Sequence, residues 1–225
     1  MIRFALVTIV AFIFTSAFSQ SSSVDTSKQN AYIRAINQRA DKIVTTLGVS
    51  DSKKALIVRD IIAGQYKNLN DIQTDRDKKI AEVKLQLAND KDAKAAAIKK
   101  LEDAAAARVD SLHAKYVSAL ATRLSSEQVV KVKDGMTYNV LPITYNGYQQ
   151  MILNLTDEQK KQIMAWLVEA REHAMDAETS DKKHAWFGKY KGKINNYLSA
   201  AGIDMNKAGK EWQERIKAQQ TANKN

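Results

Sequence analysis

Residues 98–120 read IKKLEDAAAARVDSLHAKYVSAL. Ile98, Leu101, Ala105, Val109, Leu112, Tyr116 and Leu120 recur at intervals of 3 and 4. At 3.6 residues per turn they share one helical face, a heptad-like seam. Upstream, Leu56, Ile57, Ile61, Ile62, Leu69 and Ile72 form a second stripe, which Ile80, Val83 and Leu87 extend through a very polar stretch. Asn89-Asp90-Lys91-Asp92 between them has the composition of a turn and a cap. Residues 52–123 therefore predict a long antiparallel helical hairpin, each arm roughly 45–55 Å at 1.5 Å per residue, with a tip beyond the core. Alanine runs at 95–97 and 104–107 allow the arms close approach. Charges of both signs alternate along the hairpin, which marks a solvated face and not a nucleic-acid arm.

The neighbouring segments read the same way. Ile33, Ile36, Ala40, Ile43, Val44 and Leu47 make a helical face that Gly48 stops, and Ser50 is placed to cap the next helix. Leu124-Ser-Ser-Glu-Gln128 and Leu155-Thr-Asp-Glu-Gln159 repeat the pattern L-[ST]-x-E-Q. In such a capping box the hydroxyl accepts from the third helical amide, and the glutamine reaches back to the cap amide. Further helices are expected from Thr156, from about Asp181 to Ala201 with Gly202 closing it, and from about Asp204 to Ala218. Between the two boxes, Tyr138-Asn-Val-Leu-Pro-Ile-Thr-Tyr-Asn-Gly-Tyr148 holds the sole proline and an Asn-Gly pair, so it reads as a loop. The expected fold is all-α: a bundle of about six or seven helices with a long projecting hairpin and one aromatic-rich loop. The sequence has 8 Gly and 1 Pro in 225 residues, too few turn formers for a sandwich or barrel.

Residues 1–19 have the three-part pattern of a secretory signal peptide. Arg3 is the only charge, Phe4 to Phe14 is apolar apart from Thr8, and Ala17 and Ser19 sit at −3 and −1 of a cut before Gln20. The apolar run is short for a membrane span, which needs roughly 20 residues. The expected product is exported and soluble, with a flexible leader at 20–30, one domain at 31–220 and a frayed tail at 221–225. Its aromatic-rich part is 124–212. There are no cysteines, which removes disulfide frameworks, thiol catalysis and cysteine zinc sites. Hydrophobic residues make up 44% of the chain, enough for a core, and the formal charge is +10.

Of the twelve aromatic residues after position 19, nine lie between Tyr138 and Trp212. In the helix expected around Trp186, a stripe about 100° wide carries Trp186, Tyr190 and Tyr197 with Lys182, Lys189 and Lys193. Ile194, Phe187 and Leu198 lie beside it as the core face. The CH face of a sugar packs on an aromatic ring, and an ammonium pairs with a carboxylate or sulfate. The candidate ligand site therefore joins Tyr138, Tyr145 and Tyr148 of the loop to Lys182, His184, Trp186, Lys189, Tyr190, Lys193 and Tyr197. The alternative is packing, with the lysines snorkelling into water. Glu169–His173 could ligate a metal and Glu172–Asp176 could act as paired carboxylates. Neighbouring Arg171 offers an ordinary salt bridge instead, and 3 histidines in the chain are few for a metal cluster. No phosphate loop, G-x-S-x-G or H-E-x-x-H pattern occurs. No catalytic residue, metal or cofactor is expected. Export argues against nucleic acid, and no stable membrane insertion is expected.

The segments Asp134-Gly-Met-Thr-Tyr138, Tyr145-Asn-Gly-Tyr148, Ala170-Arg-Glu-His-Ala-Met-Asp176, Lys183-His-Ala-Trp-Phe-Gly-Lys-Tyr-Lys-Gly-Lys-Ile-Asn-Asn196 and Ala200-Ala-Gly-Ile-Asp204, with Leu155–Gln159, resemble an exported family of Gram-negative bacteria, domain of unknown function 3826. They cover most of 124–212. The resemblance implies sugar binding in bacteria that degrade plant polysaccharides and carries over no catalytic residue. The L-T-x-x-Q box at Leu155–Gln159 also resembles the periplasmic chaperones related to spheroplast protein Y, which implies protein clients as an alternative. The resulting expectation is non-enzymatic carbohydrate binding, acidic glycans included, in the periplasm or outside the cell. A sugar-active enzyme using the carboxylates after Thr156 ranks behind both.

Overall fold

The computed structural model describes residues 20–222, and among these it has eight helices and no strand. They are α1 (Gln20–Thr45), α2 (Ser52–Gln86), α3 (Lys91–Ala121), α4 (Ser126–Met136), α5 (Val140–Met151), α6 (Asp157–Met175), α7 (Ser180–Ala200) and α8 (Met205–Ala222). The all-α expectation holds. The stretch expected as a signal peptide, residues 1–19, lies outside the described residues. The described residues divide into two compact units, one ending at Ala35 and the other beginning at Ile36. In the first, the described residues form the start of α1. Since α1 begins at Gln20, the stretch expected as a leader is helical. At the other end α8 continues to Ala222, past the expected fraying point at 221.

Local chemistry sets the helix ends. The carboxylate of Asp51, rather than the hydroxyl of Ser50, caps α2 by accepting from the amides of Lys53 and Lys54 at 2.8 and 3.2 Å. Asp90 caps α3. Both capping boxes form, Ser125 with Gln128 and Thr156 with Gln159. Gln128 has a second role, donating to the carbonyl of Leu47 at 3.0 Å, so this box also ties α4 to the end of α1. Gly202, at φ 86°, follows α7. The amide of Ile203 returns to the carbonyl of Leu198 at 3.1 Å, and that of Gly202 to Ser199 at 3.0 Å, a Schellman closure.

The aromatic-rich loop is a correction. Val140–Met151 is helical, and Asn146-Gly147 lies inside the helix. Pro142 falls in the first turn, where an amide has no intrahelical partner to lose. The break comes earlier, at Tyr138 and Asn139, with φ of 58° and 56°. Counting α5 brings the helices to eight.

α2 and α3, joined by a four-residue link, pack along each other, and Arg108 reaches Asp75 across the pair at 2.7 Å. No side chain from Gln73 to Ala104 is buried, so the distal part of the pair depends on its own seam and surface charges. Near the other end, Val58, Ile62, Leu69, Tyr116 and Leu120 are buried. α6 packs on α7, and α5 and α8 complete a second core. That core holds Leu141, Ile163, Leu167, Phe187, Ile194 and Leu198, several of them fully buried. The predicted core face of α7 is therefore the observed one.

Candidate functional site

A groove of about 540 Å³ opens between the α2–α3 pair and the junction of α6 with α7. The seam that builds the helix pair also supplies its apolar floor: Ile72, Ala105, Ala106 and Val109. The small alanines leave room for a ligand. The first turns of α7 supply Lys182, Ala185, Trp186 and Lys189, held in place because Phe187 and Tyr190 anchor the opposite face in the core. The α6–α7 link adds Asp176, Ala177 and Glu178.

Trp186 is half-buried. Its ring stacks on His173, centroids 4.4 Å apart and planes 16° from parallel. The Lys189 ammonium lies 5.0 Å from the ring centroid. Arg76 bonds Glu178 at 2.6 Å and Asp77 at 2.7 Å, and Lys182 also bonds Glu178. Burial pushes the Glu178 carboxyl up, but hydrogen bonds from Arg76 and Lys182 outweigh it and hold the group below its ordinary range. The groove thus offers fixed donors and acceptors beside an indole.

The sequence stripe is divided among several places. Lys182, Trp186 and Lys189 meet at this groove. Lys193 turns the other way, over the rings of Trp166 and Tyr190 at 4.7 and 5.7 Å, and Tyr197 meets Trp166 edge-on at 5.3 Å. Tyr190 is buried. Tyr148 is buried too, its hydroxyl donating to Asn195 Oδ1 at 2.7 Å, and burial pushes that hydroxyl up to about 12. Tyr145 stands apart, near Lys160 and Met164. Tyr138 is exposed and stacks on His184 at 5.5 Å, on the wall of a second groove.

Sequence reading missed the ion cluster behind the groove. His113 of α3 bonds Asp176 from Nδ1 at 2.7 Å, and its Nε2 is 3.4 Å from Glu172. Glu172 also accepts from Lys133 at 2.6 Å and from Arg171 at 3.1 Å, while Arg171 reaches Asp134 at 2.9 Å. Gln65 donates to Asp176 at 3.4 Å. Hydrogen bonds donated to its two carboxylate partners, Asp176 first and then Glu172, raise the His113 imidazole to about 9 against the cost of burial. Burial raises Glu172, yet the bonds from His113 and Lys133 outweigh it and bring it to about 2. The Glu172–Asp176 pair, weighed as acid and base, is thus engaged by three cationic residues. The cluster was invisible because His113 and Asp176 are 63 positions apart, and only the helix spacing of Glu172 and Asp176 hinted at it. Among the described residues no group of three or more acidic or histidine ligands could hold a metal, and Glu169 and His173 recruit no third ligand. Nor, among the described residues, is any helix long and apolar enough to cross a membrane.

No curated protein is significantly similar to the chain in sequence. A family model, by contrast, matches residues 33–218, which include all eight helices in whole or in part. The chain belongs to the family described as protein of unknown function, DUF3826.

Proposed function

We propose that the protein is exported and binds carbohydrate without transforming it, in the groove beside Trp186. The observation that carries this reading is an indole at the wall of an alanine-floored groove in which Arg76, Glu178 and Lys182 hold one another in place. Sugars are bound by an apolar face that takes their CH groups and by preset donors and acceptors that take their hydroxyls. Arg76, Lys182 and Lys189 are matched by Glu102, Asp110, Asp176 and Glu178, so the lining favours neutral, hydroxyl-rich rings over polyanions. Lys189 is the removable cover: an exposed cation on an indole is worth about 0.5–1 kcal/mol, and a sugar face displaces it at that cost. The chaperone alternative draws less support, since the exposed apolar side chains are spread over α2 (Leu56, Ile57 and Leu85), α4 (Val130), α5 (Ile143) and the turn after it (Leu153).

The test is a titration of the protein with neutral, uronic-acid and sulfated oligosaccharides, read by thermal shift and tryptophan fluorescence. A sugar at a hundredfold its Kd stabilises by about 2.7 kcal/mol, roughly 5–10 °C for a domain of this size. Trp186→Ala is expected to weaken binding by about tenfold or more, or about 1.4 kcal/mol, with helicity unchanged. Equal affinity in wild type and variant would remove the site. No shift with any sugar would remove the function. Recovery of secreted protein beginning at Gln20 is the matching check on export.

A further inference from the structure

A second groove, of about 580 Å³, has the opposite electrostatics. Arg39 and Lys42, three apart on α1, reach it from one side and Lys131 of α4 from another. Lys183, from the first turn of α7, is buried in its wall. None of these four cations forms an ion pair among the described residues. The one carboxylate on the lining, Asp134, is held by Arg171 at 2.9 Å. The first groove balances its charges within itself, whereas this one gathers cations and leaves them facing a cavity. We propose that this second groove is an oxyanion site, taking the carboxylate, sulfate or phosphate group of a small ligand between Arg39, Lys42, Lys131 and Lys183.

Each part of the wall has a physical reason to suit such a ligand. Lys183 donates to the carbonyls of Ala174 and Met175 at 2.9 and 2.8 Å, which satisfies the C-terminal end of α6 and fixes the ammonium in place. An ammonium has three protons, so one remains for the cavity it lines. Burial, with Arg39 adding to it and Asp176 opposing, holds Lys183 down to about 8, and an anion beside it relieves that cost. The cavity is larger than a bare ion. Tyr138 stands at its edge, turned there by two successive left-handed residues, Tyr138 itself and Asn139. Its ring, with the side chains of Ile43 and Met136, gives the non-ionic part of the ligand an apolar wall. Lys182 and Lys183 are adjacent in sequence yet serve different grooves, so the two sites flank the first turn of α7 and are separable by mutation.

The experiment titrates the protein with inorganic phosphate, sulfate and galacturonate at constant ionic strength, with sodium chloride as the control. The readouts are thermal shift and calorimetry. Saturable binding of at least one of the three, absent with chloride, is expected. The double variant Arg39→Gln/Lys131→Gln, which leaves buried Lys183 in place to protect folding, is expected to lose at least tenfold in affinity. Trp186→Ala is expected to bind the anion normally, and the double variant to bind neutral oligosaccharide normally, so failure of one site is distinguishable from failure of the other. If none of the three anions binds saturably, or if the double variant binds them as well as wild type, the proposal is overturned.

Discussion

His113 Nδ1 lies 2.7 Å from Asp176 Oδ2, joining the middle of α3 to the residue that closes α6. This bond and the 3.4 Å approach of Nε2 to Glu172 keep the imidazole doubly protonated through neutral pH. The raised group stabilises the fold fully below its ordinary value of 6.5, and that contribution is lost as pH rises toward about 9. Lys183 has the opposite sign. Held down to about 8, it penalises the fold while charged, and the penalty is relieved as pH climbs from there toward 10.5. Thermal melts should therefore show stability falling between pH 6.5 and 8, with the decline blunted above. In His113→Gln the fall should vanish. An unchanged slope in that variant would remove the imidazolium from the account.

Glu172 governs the acid limb. Its carboxyl stays ionised down to about 2, against an ordinary 4.5, so its contribution is present above 4.5 and lost as pH falls between those values. Glu172→Gln should be less stable than wild type at pH 6, and the difference should shrink toward pH 2. Removing the carboxylate leaves Lys133 and buried Arg171 with fewer acceptors, so a cost of a few kcal/mol is expected at neutral pH. Denaturant melts at the two pH values measure both.

What was legible in the sequence follows the range of the forces. The seam from Ile98 to Leu120 and the two capping boxes depend on residues within one or two turns, and they read correctly. The helical core face of α7 did as well. Pro142 misled because its effect depends on where a helix begins, and Tyr138 and Asn139 set that start through positive φ angles that composition does not reveal. The make-up of the candidate groove was half legible. Helical spacing grouped Lys182, Trp186 and Lys189, but it could not show that the α2–α3 pair would face this end of the stripe while the other end, at Lys193 and Tyr197, lies against Trp166 of α6. Arg76, His113 and Lys183 owe their roles to partners on distant or separately packed segments.

The capping boxes give an additive test. Ser125→Ala and Thr156→Ala each remove one hydroxyl acceptor, from Gln128 N at 3.3 Å and from Gln159 N at 3.2 Å. Each should cost about 1 kcal/mol. The boxes begin different helices and share no partner, so the double variant should lose the sum within about 0.5 kcal/mol. Gln128→Ala should cost more than Gln159→Ala, because only Gln128 also holds the carbonyl of Leu47. Equal costs for the two glutamine variants would mean that this link contributes nothing to stability.

At Gly135 the backbone of α4 lies close against Ile43 of α1, and the constraint is one of space, since its φ is not positive. A Cβ there would lie 2.9 Å from Ile43 Cγ1 and 3.3 Å from Cγ2. Ile43 is itself buried and Cγ1 is attached directly to its Cβ, so a clash cannot be relieved by swinging the end of a side chain. Gly135→Ala should therefore destabilise by about 1–3 kcal/mol, against the gain of roughly 0.5–1 kcal/mol that alanine normally brings to a helix interior. Gly192 is also helical, but a methyl group there would meet nothing within 4 Å, which makes it the control: Gly192→Ala should stabilise. Gly135 also lines the anion groove, so Gly135→Ala should weaken phosphate or galacturonate binding while Gly192→Ala leaves it unchanged. Opposite shifts in melting temperature for the two alanine variants are the expected result. Parallel shifts would mean that helix propensity, and not the packing of α4 on Ile43, decides both positions.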